Sequence, residues 1–220
     1  MVKKHIIFDL DGTLINSIPD MCREISLFLN KHGRRNLTEA ETVSVIGNGA
    51  PVLLKGAFAL TGEPIKDAEM PDLLAAWLDQ YGKAEMAETK PYPHVVETLI
   101  KLREDGCRLA ICTNKPPKPT EAILTKLDLK KHFDVILDAD ALPERKPRPE
   151  PLWEAVRRMG GVNESAVMVG DSETDAQTAR AAGIPVVLLS YGYTHIPYEE
   201  LKPDALIDSF ADLPDIIERL

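Results

Sequence analysis

The sequence predicts an α/β protein in which helices cover a parallel β-sheet and a separate helical segment interrupts the chain. Three observations predict this class. Short runs rich in β-branched and aliphatic residues alternate with helical patterns along most of the chain. One long stretch near the N-terminus has helical periodicity and no strand pattern. The first short run ends in "FDLDGTL", where one residue separates two aspartates.

Composition limits the possible partners. The 220 residues are enough for one full core and an insertion, and the net charge of −9 disfavours nucleic acid and anionic membranes as partners. No apolar run approaches the roughly 20 residues of a membrane span, and residues 1–4 lead into the first strand without a signal-peptide pattern. We therefore expect a cytoplasmic monomer or homodimer that binds neither nucleic acid nor membranes. An acidic protein of this kind that handles anions must concentrate its positive charge locally.

Six runs have the composition of sheet strands. Their alternation with helical patterns predicts parallel strands buried on both faces, and Ile6, Ile7 and Phe8 are typical of such a strand. The six runs are residues 5–9, 108–113, 133–137, 166–169, 186–190 and 205–207.

The stretch from Ser17 to about Glu88 predicts an all-helical insertion. Ser17 with Asp20, and Thr38 with Glu41, have the spacing of capping boxes at helix starts. We therefore predict a core domain of residues 1–15 and 89–220 and a helical cap domain of residues 16–88. One helical face of the insertion is apolar and includes Ile18, Met21, Cys22, Ile25, Phe28 and Leu29.

Polar residues follow the carboxyl ends of four predicted strands, where open α/β sheets bind their ligands. Several carboxylates held close together raise one another's pKa, so a divalent cation would neutralise them. Carboxylate oxygens without clustered His or Cys favour Mg²⁺. In strand order these residues are Asp9, Asp11, Gly12 and Thr13; Thr113 and Asn114; Lys146; and Gly170, Asp171, Ser172 and Asp175.

Five of these residues also have an ordinary structural interpretation. Gly12 and Thr13 suit a plain turn, and Lys146 beside two prolines suits a solvated loop. Asp171 and Asp175 suit the cap of the helix that follows them. Their joint position at the ends of four strands favours a ligand site.

The motifs "FDLDGTL", "ICTNK", "KPRPEP" and "GDSETD" stand in the order of the four motifs of the haloacid dehalogenase superfamily. The chain resembles that superfamily over nearly its whole length, and the insertion resembles its helical cap. "IGNGAP" at residues 46–51 and "YGYTHIP" at residues 191–197 resemble its phosphoglycolate phosphatase branch. The resemblance implies a Rossmann-like core and a Mg²⁺-dependent phosphatase for a small phosphorylated metabolite, with 2-phosphoglycolate the leading candidate.

The resemblance also implies a role for each motif residue. Asp9 attacks phosphorus and forms an aspartyl phosphate, while Asp11 protonates the leaving alcohol and later activates water. Asp9, Asp171 and the backbone carbonyl of Asp11 hold Mg²⁺, and Asp175 orients Lys146 or a metal-bound water. The phosphoryl oxygens of the substrate are bound by three side chains, those of Thr113, Asn114 and Lys146.

Several functional alternatives stay open at the level of sequence. A phosphosugar mutase or another phosphatase would share the motifs, whereas a dehalogenase has no comparable need for the second acid or Mg²⁺. A non-catalytic binding protein would have little reason to keep every charged residue of the site. The amides near Asn48 and Ala50 could bind a substrate carboxylate, or Gly47 and Gly49 could form a plain turn between two cap helices.

Overall fold

A six-stranded parallel sheet forms the centre of the structure, a computed structural model that describes residues 4–220. The predictions for residues 1–3, at the start of the chain and of the core domain, lie outside the described residues. The strands are β1 (His5–Phe8), β2 (Ile15–Asn16), β3 (Lys90–Pro91), β4 (Arg108–Cys112), β5 (Val135–Leu137), β6 (Ala166–Gly170), β7 (Val186–Leu189) and β8 (Ala205–Ile207). The α-helices are α1 (Ile18–Lys31), α2 (Glu39–Val43), α3 (Ala50–Thr61), α4 (Met70–Gly82), α5 (Val95–Glu104), α6 (Pro117–Lys126), α7 (Glu150–Arg158), α8 (Glu173–Ala182), α9 (Tyr198–Leu201) and α10 (Leu213–Arg219).

All six predicted sheet strands are present, and the order β5-β4-β1-β6-β7-β8 places β1 near the middle of the sheet. Strands β4 and β6 pair with β1 on either side, with Ile7 opposite Ala110 and Met168. Ile6 and Phe8 belong to the apolar cluster on one face of the sheet, and Ile7 to the cluster on the other. Burial on both faces explains why β1 is a continuous apolar run.

The chain between β2 and β3 contains the four helices α1 to α4, as the periodicity predicts. Helix α1 contacts each of the other three, and Cys22 is half-buried while the other positions of its predicted apolar face are buried. The capping box at α2 is confirmed, because Glu41 N donates to Thr38 Oγ1 at 3.2 Å and Thr38 N donates to Glu41 Oε2 at 2.9 Å. Among residues 4–220, we find no helix with the length and apolar character that a bilayer crossing requires.

The capping box predicted at Ser17 and Asp20 is wrong, although α1 does begin after Ser17. Ser17 Oγ donates to Asp11 Oδ1 at 2.5 Å. The buried Asp20 Oδ2 accepts hydrogen bonds of 2.6 Å from both N and Oγ1 of Thr89. Tertiary structure supplies a charged acceptor for Ser17 and several donors for Asp20, and these partners replace the local cap.

A short antiparallel ribbon joins the two ends of the helical insertion. In this ribbon β2 pairs with β3, with Ile15 opposite Pro91 and Asn16 opposite Lys90. The predicted boundaries at residues 16 and 88 fall at or beside the ribbon. Residues 16–88 are called the cap segment below.

Candidate active site

The carboxyl ends of the central strands and the cap segment enclose a cavity of about 70 Å³. This volume is several times the roughly 10–15 Å³ that one water molecule needs on the same measure. The polar lining comes mainly from the loops after β1, β4 and β6, as expected for a ligand site in an α/β sheet. The apolar lining comes mainly from the cap segment and includes Met21, Ile46, Ala50, Leu53 and Trp77.

Three carboxylates and one lysine form the buried part of the site. Oxygen atoms of Asp9, Asp171 and Asp175 all lie within 4.8 Å of one another. Lys146 Nζ lies 2.9 Å from Asp9 Oδ1 and donates to Asp175 Oδ1 at 2.6 Å, which is the contact predicted for Asp175. Lys146 is buried, so the solvated-loop interpretation of this residue is wrong.

Asp175 also serves the helix that follows it, as the capping interpretation predicts. Its Oδ2 accepts from Ser172 N at 3.2 Å, Ser172 Oγ at 2.7 Å and Asp171 N at 3.2 Å. Because Lys146 uses the other oxygen, Asp175 has donors at both oxygens. Its position suits a supporting carboxylate better than a direct metal ligand.

The burial of these groups changes their pKa values. Burial raises the pKa of Asp9 to about 6, although Lys146 acts in the opposite direction. Burial also raises the pKa of Asp171 well above its ordinary range, and the charges of Asp175 and Asp9 add to the effect. For Lys146, burial alone would lower the pKa, but Asp175 and Asp9 raise it above the usual lysine value. Lys146 therefore pairs with two of the three clustered carboxylates, Asp9 and Asp175.

The cluster fits a hard divalent cation. Asp9 Oδ1 is buried and receives no well-directed hydrogen bond, even though Lys146 Nζ is 2.9 Å away. Asp171 accepts one hydrogen bond at each oxygen and keeps further lone pairs. Oxygen ligands with excess negative charge are the donor set that Mg²⁺ prefers.

Two glycines and two donors hold Asp171 in place. Thr13 Oγ1 donates to Asp171 Oδ1 at 2.6 Å, and Tyr193 N donates to Asp171 Oδ2 at 2.7 Å. A Cβ atom at Gly12 or Gly192 would lie 2.3 or 2.0 Å from the Asp171 side chain. Gly12 also has a φ of +85°. The glycines of "FDLDGTL" and "YGYTHIP" are therefore required by the close approach of Asp171.

Asp11 lies in a different environment from the other carboxylates. Lys115 Nζ donates to Asp11 Oδ1 at 2.9 Å and to Oδ2 at 3.1 Å, and Ser17 donates to Oδ1. Lys115 Nζ also donates to Tyr81 OH of α4 at 2.7 Å. Burial would lower the pKa of Lys115, but Asp11 and Tyr81 raise it, and burial raises the pKa of Tyr81 to about 12. The amine therefore stays charged in a buried position.

Thr113 and Asn114 follow β4 and line the cavity, where the sequence predicts them. Thr113 Oγ1 accepts a hydrogen bond of 3.2 Å from Lys115 N. Asn114 Nδ2 donates to the carbonyl oxygens of Gly47 at 3.2 Å and Lys146 at 3.0 Å. The Asn114 side chain thus joins the cap segment to the Lys146 loop, and its contact with a phosphoryl oxygen stays a prediction.

Sequence reasoning missed several residues of the cavity. Lys115 directly follows Thr113 and Asn114 in "ICTNK", so its place after a strand was a usable signal. Tyr81 has no local signal, because it enters the site only through the docking of the cap segment against the sheet loops. His195 lies in "YGYTHIP" after β7, so its place after a strand was also a usable signal. His195 bridges Glu173 and the Val43 carbonyl, at 2.8 and 3.0 Å.

Comparison with known proteins decides the family. A model of haloacid dehalogenase-like hydrolases matches residues 6–189, from β1 to the end of β7. The chain belongs to the haloacid dehalogenase-like hydrolase family. This hydrolase is 38% identical to a phosphoglycolate phosphatase of Caulobacter vibrioides over 209 residues, which cover 95% of this chain and 88% of the relative.

Further relatives agree with this placement. The hydrolase is 38% identical to a phosphoglycolate phosphatase of Mesorhizobium japonicum, with 100% of this chain and 97% of the relative covered. A crystal structure of a protein described as a predicted phosphoglycolate phosphatase from Haemophilus somnus has a TM-score of 0.90 and 36% identity, with 97% of each chain covered. The α/β fold class and the resemblance found in the motifs are confirmed. The hydrolase is a phosphoric monoester hydrolase of this family.

Proposed function

We propose that this chain is a Mg²⁺-dependent phosphatase that hydrolyses 2-phosphoglycolate through an aspartyl-phosphate intermediate on Asp9. The observation that carries the proposal is the buried Asp9 oxygen without a well-directed hydrogen bond, beside Lys146 and Asp171. Curated relatives named phosphoglycolate phosphatase at 38% identity support the choice of substrate.

Asp9, Asp171 and the backbone carbonyl of Asp11 would hold Mg²⁺. Bound Mg²⁺ would offset the charge of the carboxylates and polarise a phosphoryl oxygen. Lys146 would place a second positive charge at the phosphoryl group, and Asp175 would orient that amine. Thr113 and Asn114 would complete the binding of the phosphoryl oxygens.

Asp9 and Asp11 would divide the chemistry between them. An Asp9 oxygen attacks phosphorus and the bond from phosphorus to the ester oxygen breaks, while the Asp11 carboxyl gives its proton to that oxygen. Asp11 then takes a proton from a water molecule, whose oxygen attacks phosphorus and releases phosphate from Asp9. Proton transfer of this kind contributes roughly 10²–10⁴-fold to the rate.

The cavity lining supports a small substrate over a phosphosugar. The side chains that the cap segment contributes are mainly apolar, such as Met21, Leu53 and Trp77. They offer few partners for the hydroxyl groups of a sugar, and unpaired hydroxyl groups are costly to bury. A short phosphoester fits this lining better.

We further propose that the cap segment works as a domain over the core of residues 1–15 and 89–220. Its polar contacts with the core support this division: Asn48 Oδ1 accepts from Thr174 Oγ1 at 3.0 Å, and the Gly47 carbonyl accepts from Asn114. The cytoplasm remains the expected location.

Phosphate release is the direct test. The purified chain, stripped with EDTA, is assayed with and without Mg²⁺ on 2-phosphoglycolate, glucose 6-phosphate and p-nitrophenyl phosphate. We expect turnover only with Mg²⁺ and the highest kcat/KM on 2-phosphoglycolate. Failure to release phosphate from any of the three would contradict the phosphatase proposal, and a preference for glucose 6-phosphate would contradict the substrate.

A further inference from the structure

A second lysine lies in the cavity, apart from the carboxylate cluster that holds Lys146. The Lys115 side chain is 1% exposed, and its amine contacts Asp11 and Tyr81. Tyr81 in turn stacks on Trp77, with ring centroids 5.0 Å apart and an interplanar angle of 8°. These contacts define the direction from which the buried amine can meet a ligand.

The partners of the two lysines place them at opposite sides of the reacting bond. Lys146 contacts Asp9, which under the proposed function attacks phosphorus. Lys115 contacts Asp11, which under the same proposal gives a proton to the ester oxygen of the leaving group. A proton donor must come within about 2.6–3.2 Å of that oxygen. Because Lys115 contacts Asp11, and Asp11 contacts the ester oxygen, the Lys115 amine lies close to the substituent that this oxygen carries.

Few other cations can reach that substituent. Among the described residues that line the cavity, Lys115 and His195 are the ones whose side chains can carry positive charge. His195 is directed to Glu173 and to the Val43 carbonyl. The apolar side chains of the cap segment surround the remaining space. An anionic group in that space would be poorly solvated without the Lys115 amine.

We propose that Lys115 is a specificity-determining residue of this site and binds a carboxylate on the leaving-group side of the phosphoester. The inference rests on the proposed function and narrows its substrates to short phosphoesters with an anionic substituent next to the ester carbon. On binding, the amine exchanges part of its contact with Asp11 for the substrate carboxylate. Tyr81 is a positioning residue, since its hydroxyl accepts from Lys115 only when α4 is docked over the core.

A matched pair of substrates tests this assignment. In 2-hydroxyethyl phosphate, a hydroxymethyl group replaces the carboxylate of 2-phosphoglycolate, and kcat/KM is measured for both with Mg²⁺. For Lys115→Met we expect the ratio of the two values to fall at least about 30-fold from wild type, the size of losing one charge-assisted contact. Tyr81→Phe removes only a hydroxyl, and the ratio falls about 3- to 10-fold. Lys118 is exposed, and Lys118→Met is the control, which should keep the kcat/KM of wild type for both esters.

The outcomes separate this inference from the proposed function. If wild type hydrolyses both esters and Lys115→Met lowers the two kcat/KM values by the same factor, the lysine serves Asp11 alone and the inference is overturned. If Lys115→Met does not fold, an unchanged ratio in Tyr81→Phe and in the uncharged Lys115→Gln overturns it equally. A wild type that releases no phosphate from either ester contradicts the proposed function itself.

Discussion

The two aspartates of "FDLDGTL" lie in different electrostatic environments although they are only two positions apart. Asp9 shares Lys146 with Asp175 and lies beside Asp171, whereas Asp11 is paired with Lys115 and Ser17. The difference leads to separate predictions for the two residues.

We expect Asp9→Asn to abolish phosphatase activity and to stabilise the metal-free fold at neutral pH. Burial raises the pKa of Asp9 from 3.8 to about 6, so its ionisation costs folding free energy as pH rises from about 4 to 6. The asparagine avoids that cost, which is at most about 3 kcal/mol. Thermal melts in EDTA at pH 4 and 7.5 should show the stabilisation only at the higher pH. Activity within a few-fold of wild type would contradict the nucleophile role.

Asp11→Asn and Asp171→Asn should fail in different ways. Asp11→Asn keeps the backbone carbonyl but loses proton transfer, so kcat falls and added Mg²⁺ does not restore it. Asp171→Asn removes a charged ligand, so we expect at least a roughly 10-fold higher Mg²⁺ requirement. Activity is titrated with Mg²⁺ for each variant. If added Mg²⁺ restored the activity of Asp11→Asn but not that of Asp171→Asn, the assignment of the two roles would be wrong.

Single residues were predictable where backbone position alone determines their place. Asp9, Thr113 and Asp171 lie at strand ends, and parallel strands bring their carboxyl ends to one edge. The partner of Ser17 was not predictable, because its hydroxyl could meet either the local helix end or Asp11. The pairing of Lys115 with Tyr81 depends on where α4 docks, which local sequence does not encode.

At the scale of elements, three polar contacts connect one short stretch of the cap segment, residues 43–48, to loops of the sheet. Gly47 accepts from Asn114, Asn48 accepts from Thr174, and Val43 accepts from His195. All three cap residues lie between α2 and the start of α3 or at the end of α2. This short stretch therefore forms part of the contact between the cap segment and the core.

Gly49→Val should raise KM for carboxylated phosphoesters more than for a small aryl phosphate. Gly49 precedes α3 with a φ of +84° and a ψ of 168°, a conformation that β-branched residues avoid. A Cβ there would meet no atom closer than 3.9 Å, so backbone strain rather than a clash would move the amides at the start of α3. We compare kcat/KM for 2-phosphoglycolate and p-nitrophenyl phosphate. Equal losses would mean that the turn serves cap structure alone.

The contact of His195 with Glu173 and the Val43 carbonyl should make closure of the cap segment pH-dependent. Burial alone would lower the pKa of His195, but these two hydrogen bonds raise it above 6.5. Burial would raise the pKa of Glu173, but His195 lowers it below 4.5. The stabilisation of the fold by protonated His195 is complete below about pH 6.5 and is lost as pH rises through the raised pKa. The stabilisation of the fold by ionised Glu173 is complete above about pH 4.5 and is lost as pH falls through the lowered pKa.

His195→Gln should therefore lower Tm more at pH 6 than at pH 9. The effect is about 1 kcal/mol or less at pH 6, because the pair is partly exposed. Melting curves are recorded at both pH values for wild type, His195→Gln and Glu173→Gln. A Tm difference of the same size at both pH values would show that the charge of the histidine does not contribute.

The strands were the most predictable elements. All six sheet strands lie within one or two residues of their predicted bounds, because buried parallel strands are short apolar runs bounded by turn residues. Strands β2 and β3 were not predicted, since two-residue strands have no periodicity to detect. The capping box at Thr38 was predictable because both of its partners are local, unlike those of Asp20.

At the scale of the whole molecule, an acidic chain concentrates its buried positive charge at one place. The net charge is −9, yet two buried lysines, Lys115 and Lys146, lie at the carboxyl ends of the central strands. This is the local concentration of positive charge that the composition requires of a protein for anionic substrates.

Mg²⁺ should stabilise the whole fold through its binding free energy. A ligand at 100 times its Kd adds about 2.7 kcal/mol, which raises Tm by roughly 5–10 °C in a protein of this size. Calorimetry in EDTA and in Mg²⁺, with NaCl at matched ionic strength, measures the shift. Asp171→Asn is the control and should show a smaller shift. An equal shift in NaCl would indicate screening of charge and not a bound cation.

The β2–β3 ribbon has a consequence for engineering. Because Ile15 is paired with Pro91, the two points where the chain leaves and re-enters the sheet region are neighbouring strands, about 5 Å apart. A foreign insert of any length could replace the intervening residues if its own ends meet at that spacing. The sheet would keep its loops and its reaction, while the inserted segment would cover the cavity with different side chains and change the range of substrates.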